Sequence, residues 1–300
     1  MGNFSEPFWN IYIIVVTIGG IWALWLFVDW QSRLQRPGDE RQTTGHVWDE
    51  DLTELNNPLP VWWRNLFYVT LVFGIIYLIL YPGLGSNDML LRWTQVKQYE
   101  RQVEAAERRY GPMFEQFLDT GVAELARDPQ ALKMGERLFA GYCTGCHGSD
   151  AAGVPGFPNL RDGDWLYGGD PASIKTSILA GRNGVMPGWE QALGGPEAVS
   201  QVAQYVLSLS GREVDPAAAG KGRAKYQQFC VACHGAEGKG NQELGAPNLT
   251  DNIWLYGGSP RAVEASIANG RQGTMPAHEN FLGEAKAHLL AAYIYSLSNP

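Results

Sequence analysis

The chain has 300 residues and a formal net charge of −8 at pH 7. That length favours about two domains, on a soft prior of about 150 residues per domain. The acidic balance argues against a nucleic-acid-binding protein, which needs a basic surface. Most of the acidic excess lies before residue 131, so composition does not predict a strongly acidic patch on the rest of the chain.

Two long apolar runs predict transmembrane helices near the N-terminus. The first, residues 8–28, has 21 residues and no charge; as a helix it would span about 31 Å, which matches a hydrocarbon core of about 30 Å. The second, residues 62–81, contains Arg64, whose charge can reach the membrane interface. A cleaved signal peptide is disfavoured because residues 1–7 contain no Lys or Arg, and a buried core helix rarely runs so long without a charge. Aromatic residues typical of interfacial belts lie near the ends of both runs: Trp9, Trp30, Trp62, Trp63 and Tyr81.

The basic residues predict the orientation of this transmembrane hairpin. No Lys or Arg occurs in residues 1–7 or 82–91. The loop between the spans, in contrast, holds Arg33, Arg36 and Arg41, with Arg64 at its far end. By the positive-inside rule the loop is cytoplasmic, so both termini lie on the other side, which in a bacterium is the periplasm. We therefore expect a periplasmic body, from residue 82 onward, anchored in the inner (cytoplasmic) membrane.

Residues 86–130 form a charged connector. The apolar residues Leu90, Trp93, Val96, Tyr99 and Val103 have near-helical spacing, which predicts an amphipathic helix. We expect a break in the next segment, around residues 111–112 (Gly-Pro), and then a shorter helix. The connector is either a solvated spacer or a helix that lies on the membrane or on a partner subunit.

Two C-x-x-C-H motifs carry the main chemical signal. "CTGCH" occupies residues 143–147 and "CVACH" residues 230–234. In this motif two thiols bond covalently to haem vinyl groups, and the adjacent His is placed beneath the ring to ligate the iron. The motifs therefore predict two covalently attached haem c groups, held by Cys143, Cys146, Cys230 and Cys233, with His147 and His234 as axial ligands.

Three other roles of the cysteines compete with haem attachment. A thioredoxin-type redox pair would need a preceding strand within a βαβ unit and would not require the adjacent His. A zinc site would have to join two Cys pairs that are far apart in the chain. Structural disulfides are possible, but a two-residue spacing is poor for closing a loop. Two copies of the motif in matching surroundings favour haem.

An internal repeat surrounds the two motifs and supplies a second axial ligand. "SILAGRNGVMP" at 177–187 aligns with "SIANGRQGTMP" at 266–276, after a two-residue insertion in the second copy. Met186 follows the first haem-ligating His by about 40 residues and Met275 the second, so the spacing pairs His147 with Met186 and His234 with Met275. Met usually fills cores, but here it lies in a Gly-rich loop at the same place in both copies, and His/Met ligation raises the haem potential. The rival ligands are His278, whose counterpart is Trp189, and Met134.

The pentapeptide "WLYGG" occurs at 165–169 and again at 254–258, 21 residues before each Met. Its indole and phenol are suited to haem propionates or to holding the ligand loop, with Gly-Gly making the turn. A plain piece of aromatic core is the alternative. The candidate residues of the haem environment are Trp165, Tyr167, Arg182, Trp254, Tyr256 and Arg271.

The predicted fold class is all-α. Residues 131–146 and 217–233 indicate helices that run into the two motifs, and residues 197–210 and 284–298 indicate matching closing helices. Tyr205 and Tyr293 align on these, and we expect them to pack against the opening helices. No strand signal of any length is present. The modules are small, and a buried haem would supply much of their core.

With these motifs the two halves resemble class I cytochrome c domains, in tandem at 131–212 and 213–300 after a transmembrane hairpin (1–85) and the connector (86–130). In that family the Pro of a "PNL"-like turn accepts a hydrogen bond from the ligand His, which implies this role for Pro158 and Pro247. The whole chain resembles the membrane-anchored dihaem subunit, of the CcoP or FixP type, of cbb3-type cytochrome c oxidases. That resemblance rests on "NPLPVWWRNLFYVT" at 57–70 and on the architecture; the extra N-terminal span departs from the many members with one span.

The resemblance implies an electron relay from a periplasmic donor cytochrome c, soluble or anchored, toward an oxygen-reducing subunit. The implied membrane partners are that catalytic subunit and a monohaem cytochrome c subunit. Since His/Met iron has no open position, we expect no catalytic residue in this chain. The alternatives are an electron-input subunit of another membrane dehydrogenase and a freestanding anchored carrier.

Overall fold

The computed structural model describes residues 7–34, 43–55, 57, 59–85 and 89–299. The chain divides into two compact units, Met1–Arg109 and Tyr110–Pro300. Most described residues are helical, which confirms the all-α prediction. Two small two-stranded sheets, which the sequence did not indicate, lie within the described ranges.

The first unit contains two long apolar helices, α1 (Pro7–Leu34) and α2 (Val61–Leu80). Both are long and apolar enough to cross a membrane, and only a small share of each is buried inside the protein. Such exposure fits helices that face lipid better than the core helices of a soluble protein. α2 matches the predicted span closely, whereas α1 continues beyond residue 28. The rings of Trp25 and Tyr68 join the two helices, with centroids 4.6 Å apart.

An antiparallel hairpin, β1 (Thr43–Trp48) and β2 (Leu52–Leu55), lies between these helices in the chain. All of its residues are exposed, including His46, which the sequence gave no special role. Arg36 and Arg41, which support the predicted orientation, lie outside the described residues.

The connector helix α3 (Gln95–Glu115) is amphipathic, and it continues through Pro112. The predicted break around residues 111–112 is therefore wrong. Proline removes one backbone N–H, but only three helical residues follow it, so the loss is confined to the last turn. A short helix, α4 (Val122–Leu125), follows as predicted.

The second unit continues with two similar series of elements. The first series is α5 (Pro129–Tyr142), α6 (Thr144–His147), α7 (Pro171–Ala180), β3 (Arg182–Met186), α8 (Glu190–Leu193) and α9 (Pro196–Leu209). The second is α10 (Pro216–Phe229), α11 (Val231–His234), α12 (Pro260–Asn269), β4 (Arg271–Met275) and α13 (Glu279–Ser298). Asp128, Asp170 and Asp215 start α5, α7 and α10: each carboxylate accepts hydrogen bonds from two backbone N–H groups, and Pro follows.

The two series exchange their closing helices. α5 packs against α13, and α9 packs against α10. The rings of Phe139 and Tyr293 are 5.6 Å apart, and those of Tyr205 and Tyr226 are 5.1 Å apart. Tyr205 and Tyr293 therefore do pack against opening helices, as predicted, but each meets the opening helix of the other half. The two tandem segments do not each close on their own terminal helix.

This exchange produces two separate cores. We call module 1 the set of α4, α5, α6, α7 and α13, whose core includes Phe139, Ile178 and Leu290. Module 2 is the set of α8, α9, α10, α11 and α12, whose core includes Val202 and Tyr226.

The short connection between α9 and α10 explains the exchange. Only residues 210–215 separate them, and short helix–helix connections place consecutive helices side by side and antiparallel. α9 then covers α10, and α13 is left to cover α5. Glycines allow both close approaches: a Cβ on Gly135 would lie 2.6 Å from the Cβ of Tyr293, and one on Gly222 would overlap the carbonyl oxygen of Gln201.

The chain crosses between the modules at an antiparallel ladder of β3 and β4. Arg182 lies opposite Met275, and Met186 lies opposite Arg271, with Gly184 opposite Gly273 at the centre. The ladder therefore carries the two Met residues at its opposite ends.

Candidate functional site

Each C-x-x-C-H motif forms a single helical turn directly after a longer helix. In module 1 the His147 N–H donates to the Cys143 carbonyl at 3.0 Å, which brings the first Cys and the His onto one turn. His147 is buried, whereas Cys146 is exposed. The turn at 230–234 in module 2 repeats this geometry, with His234 equally buried.

Both His rings are held by a backbone carbonyl. His147 Nδ1 lies 3.0 Å from the Pro158 carbonyl oxygen, and His234 Nδ1 lies 3.1 Å from that of Pro247. Because a carbonyl only accepts, Nδ1 carries the proton and Nε2 keeps its lone pair. Burial lowers the pKa of both imidazoles, so both are neutral and suited to ligate a metal.

The first cysteine of each motif is partly buried, whereas the second is exposed. Burial, with a smaller contribution from the second Cys of each motif, raises the pKa of Cys143 and Cys230 to about 11. A redox-active Cys needs a readily formed thiolate, so the raised pKa disfavours a thioredoxin-type role. The structure contains no disulfide between the four cysteines. Among the described residues, no group of three or more His, Cys, Asp or Glu could hold a metal ion.

The two Met residues lie in the opposite modules from those expected. Met275 packs against the module 1 core, as Cys143 does, and Met186 packs against the module 2 core with Cys230. Each Met thus packs against the same core as the first Cys of the other sequence half. Met134, the rival on α5, also packs against the module 1 core.

The "WLYGG" segments form matching aromatic–arginine clusters. The Arg182 guanidinium lies 4.8 Å from the Tyr167 ring centroid and donates to Ser177 Oγ at 2.9 Å. In the second copy Arg271 lies 4.5 Å from the Tyr256 ring and donates to Ser266 Oγ at 2.9 Å. The second glycine of each pair is required, because a Cβ on Gly169 would overlap the Trp165 indole, and Gly258 meets Trp254 likewise.

Two polar atoms of these clusters have no hydrogen-bond partner. The Tyr167 hydroxyl and Trp254 Nε1 are buried and unpaired within the part of the chain that the structure describes. An unpaired buried donor is costly, and a haem propionate would supply an acceptor at such a place. Together with two thiols and a neutral His in each module, these donors fit haem c.

Each segment also contacts the turn of the other copy. The Tyr167 ring occupies the space that a Cβ on Gly245 would need, two residues before the Pro that holds His234. In the other copy the Gly156 N–H donates to the Leu255 carbonyl at 2.8 Å. The repeated pentapeptide thus joins the two modules.

Two residues of the site were not identified from the sequence, and one further His is buried in the core. The buried Tyr226 hydroxyl donates to the Gly235 carbonyl at 2.9 Å, next to the second motif. The Arg212 guanidinium lies 5.4 Å from the Trp254 ring and donates to the Gly258 carbonyl. His288 is buried, with Nε2 2.8 Å from the Thr120 carbonyl, so it is a core residue of module 1. Nothing local to these residues in the sequence signals the contacts.

The chain is similar to known proteins over nearly its whole length. Residues 40–88 match the model of the N-terminal domain of cytochrome oxidase-cbb3, FixP, and residues 130–206 and 217–294 match that of cytochrome c oxidase, cbb3-type, subunit III. It is 47% identical over 298 residues to the cbb3-type cytochrome c oxidase subunit CcoP of Rubrivivax gelatinosus, covering 99% of this chain and 97% of that protein. It is 39% identical to CcoP of Cereibacter sphaeroides, covering 88% and 96%. It is 40% identical to FixP of Bradyrhizobium diazoefficiens, covering 86% and 94%.

Proposed function

Since the chain belongs to the CcoP and FixP family of cbb3-type cytochrome c oxidase subunits, we propose that it relays electrons through two haem c groups from a periplasmic donor cytochrome toward the oxygen-reducing subunit. The observation that carries this proposal is the pair of motif turns, each with a buried neutral His whose Nε2 is available. Haem c, when attached, supplies a reversible one-electron iron couple.

The residues of each module would attach the haem, ligate its iron and shield it from solvent. The two thiols of each motif would hold the haem as thioethers. His147 and His234 would each offer the lone pair of Nε2 to the iron, and Met186 and Met275 would each offer a thioether sulfur. A haem c ligated in this way would transfer electrons without binding oxygen, so oxygen reduction belongs to the partner subunit.

The axial ligands are paired across the two halves. In module 1, His147 is paired with Met275; in module 2, His234 is paired with Met186. The packing of each Met against the core that contains the corresponding Cys supports this pairing.

The propionates are held by the aromatic–arginine clusters. Tyr167 Oη and Trp254 Nε1 are the donors whose buried, unpaired state supports this role. Arg182 and Arg271 supply positive charge, and their contacts with the Tyr rings limit the movement of the two guanidinium groups.

The apolar helices anchor the chain in the bacterial inner membrane, with both termini and both modules in the periplasm. The distribution of Arg in the sequence supports this orientation. The anchor docks to the catalytic subunit and to a monohaem cytochrome c subunit.

The crossed pairing is tested in the full chain with one haem removed. In a Cys143→Ala/Cys146→Ala variant, the remaining haem is attached in module 2. Met186→His added to it should lower the midpoint potential of that haem, whereas Met275→His should leave it nearly unchanged. The reverse result would refute the crossed pairing.

Three measurements test the wider proposal. A reduced pyridine haemochrome spectrum should give two haem c groups per chain. Purification in mild detergent should yield a stable complex that contains b-type haem and copper, and deletion of the chain should abolish oxygen consumption with cytochrome c as donor. Isolation as a lone cytochrome, or in a dehydrogenase, would instead support the alternative functions.

A further inference from the structure

The β-hairpin of β1 and β2 has apolar side chains on both of its faces. Val47, Trp48, Leu52 and Leu55 are each between 49% and 62% exposed. Trp48 lies directly opposite Leu52, so the two side chains share one face beside the turn, and Val47 lies on the other face because side chains alternate along a strand. A two-stranded hairpin is only marginally stable in water unless something packs on it. Among the residues that the structure describes, neither face has such a cover.

The turn of this β-hairpin is acidic. Asp49, Glu50 and Asp51 are exposed in the turn, and Glu54 lies exposed on β2. Residues 43–55 contain these four carboxylates and no Lys or Arg, so their formal charge is −4. An apolar surface with an acidic rim is complementary to a partner surface that is apolar at its centre and basic around it.

The backbone of the turn is unfavourable for the residues that form it. Asp49 has a φ of 48° and Glu50 a φ of 73°. Both angles lie in the left-handed region, which glycine adopts easily and other residues rarely do. A turn with glycine would form at lower cost. The chain has two carboxylates there instead, and backbone strain of this kind is typical of functional positions.

A short connection keeps the β-hairpin near the membrane. β2 ends at Leu55 and α2 begins at Val61, so five residues lie between them. Fully extended, this connection spans about 20 Å. The β-hairpin therefore reaches only what lies beside the start of α2. That is either the lipid headgroups or the cytoplasmic loops of the subunit to which the anchor docks.

The charge of the β-hairpin distinguishes these two surfaces. The cytoplasmic leaflet has a negative surface potential, which attracts basic segments and repels acidic ones. The cytoplasmic loops of membrane proteins, in contrast, carry an excess of Lys and Arg. A segment with a charge of −4 is therefore repelled by the lipid and attracted by the loops of a membrane protein.

We propose that residues 43–55 are a docking element that binds the cytoplasmic face of the oxygen-reducing subunit. Trp48 and Leu52 fill an apolar crevice in that face, and the carboxylates of the turn pair with Lys and Arg around the crevice. The inference rests on the proposed function, because it requires a cytoplasmic loop and an anchor that docks to that subunit. The β-hairpin adds a contact outside the membrane to the packing of the two spans.

The first test removes the apolar pair from the full chain in the complex. Trp48→Ala/Leu52→Ala should dissociate from the subunit that contains b-type haem at least about tenfold faster than the unaltered chain, because buried aromatic side chains dominate interfaces and act mainly on dissociation. The measurement is the fraction of b-type haem that stays with the chain over time in mild detergent. Each variant should keep two haem c groups, since the motifs lie in the other unit of the chain.

The second test removes the charges of the turn. Dissociation of the unaltered complex should become faster as salt is added, and this dependence should be weaker in Asp49→Asn/Glu50→Gln/Asp51→Asn. The control is a variant in which three exposed carboxylates of the modules are neutralised, and it should retain the salt dependence of the unaltered chain: Glu136→Gln/Glu237→Gln/Glu243→Gln. Equal changes in the control and in the turn variant would overturn the proposal.

A cross-link tests the contact without removing any charge. Trp48→benzoylphenylalanine in the full chain, irradiated in membranes, should attach to a cytoplasmic loop of the oxygen-reducing subunit, which mass spectrometry identifies. Adducts with lipid alone or with this chain alone, or no adduct, would overturn the docking role, as would unchanged dissociation of both β-hairpin variants. If the unaltered chain retains no b-type haem, the proposed function itself is refuted.

Discussion

Because the closing helices are exchanged, we expect a fragment that contains only the first sequence repeat to be unstable. A fragment of residues 110–212 contains the whole "CTGCH" motif and its own closing helix α9, but it lacks α13. In the intact chain α13 contributes to the module 1 core four large apolar side chains that are almost fully buried: Leu282, Leu289, Leu290 and Ile294. We expect this fragment not to form a stable module.

The magnitude follows from the buried side chains. Burial of one Leu or Ile stabilises by about 1.5–3 kcal/mol, so the four together contribute about 6–12 kcal/mol. The total stability of a small domain is about 5–15 kcal/mol. Loss of α13 therefore removes an amount comparable to the whole free energy of unfolding, and the fragment also loses Met275.

The measurement is urea unfolding followed by circular dichroism, on fragments made with haem attachment. Residues 110–212 should show no cooperative transition, whereas residues 110–300, which include both exchanged helices, should unfold cooperatively. If 110–212 unfolds cooperatively with a stability near that of 110–300, then α9 can close on α5, and the argument from the α13 contacts fails.

Two further predictions concern the packing of the same unit. Gly222→Ala should lower the free energy of unfolding by about 3 kcal/mol, because the new methyl overlaps a backbone carbonyl of α9. The control is Gly220→Ala on the same helix, where a Cβ would have nothing within 4 Å, and it should cause no loss of stability. Equal effects of the two variants would refute the close crossing of α9 and α10. Burial, with the charges of Asp251 and Asp162, raises the pKa of Asp164 to about 6 from 3.8. Because the folded state then holds the proton more tightly than the unfolded state, stability should fall by about 1 kcal/mol as pH rises from 4 to 6, after allowance for solvent screening at this partly exposed group. Asp164→Asn should flatten this dependence in denaturation curves, and an unchanged slope would contradict the assignment.

Local features of the sequence predicted the elements and their chemistry. The C-x-x-C-H turns and the apolar spans each depend on a few neighbouring residues, so they are readable from a single chain. The hydrogen bonds from the His rings to Pro158 and Pro247, implied by the resemblance, are present in the structure. The hairpin at Thr43–Leu55 was missed because its strands are short and lack an alternating apolar pattern.

Which helices pack against each other was predicted less well. Both opening helices have a Gly and an aromatic residue at matching places, and both closing helices have an aligned Tyr. Tyr205 therefore fits Tyr226 as well as it fits Phe139. Local pattern cannot decide between the two arrangements, because the repeat makes their contacts chemically equivalent. The deciding feature is the short connection at residues 210–215.

The exchange also bears on how the two proposed haems are held. Each module is built from segments of both halves, so the modules cannot separate without loss of their own cores. The ladder places Met186 and Met275 four residues apart along paired strands, which at about 3.4 Å per residue is about 14 Å. Tyr167, set against Gly245, adds a second contact between the modules. In the proposed pairing, both sixth ligands would belong to this one hydrogen-bonded element, which would fix their separation. A relay made of two independent domains on a flexible linker would instead depend on the domains meeting by diffusion.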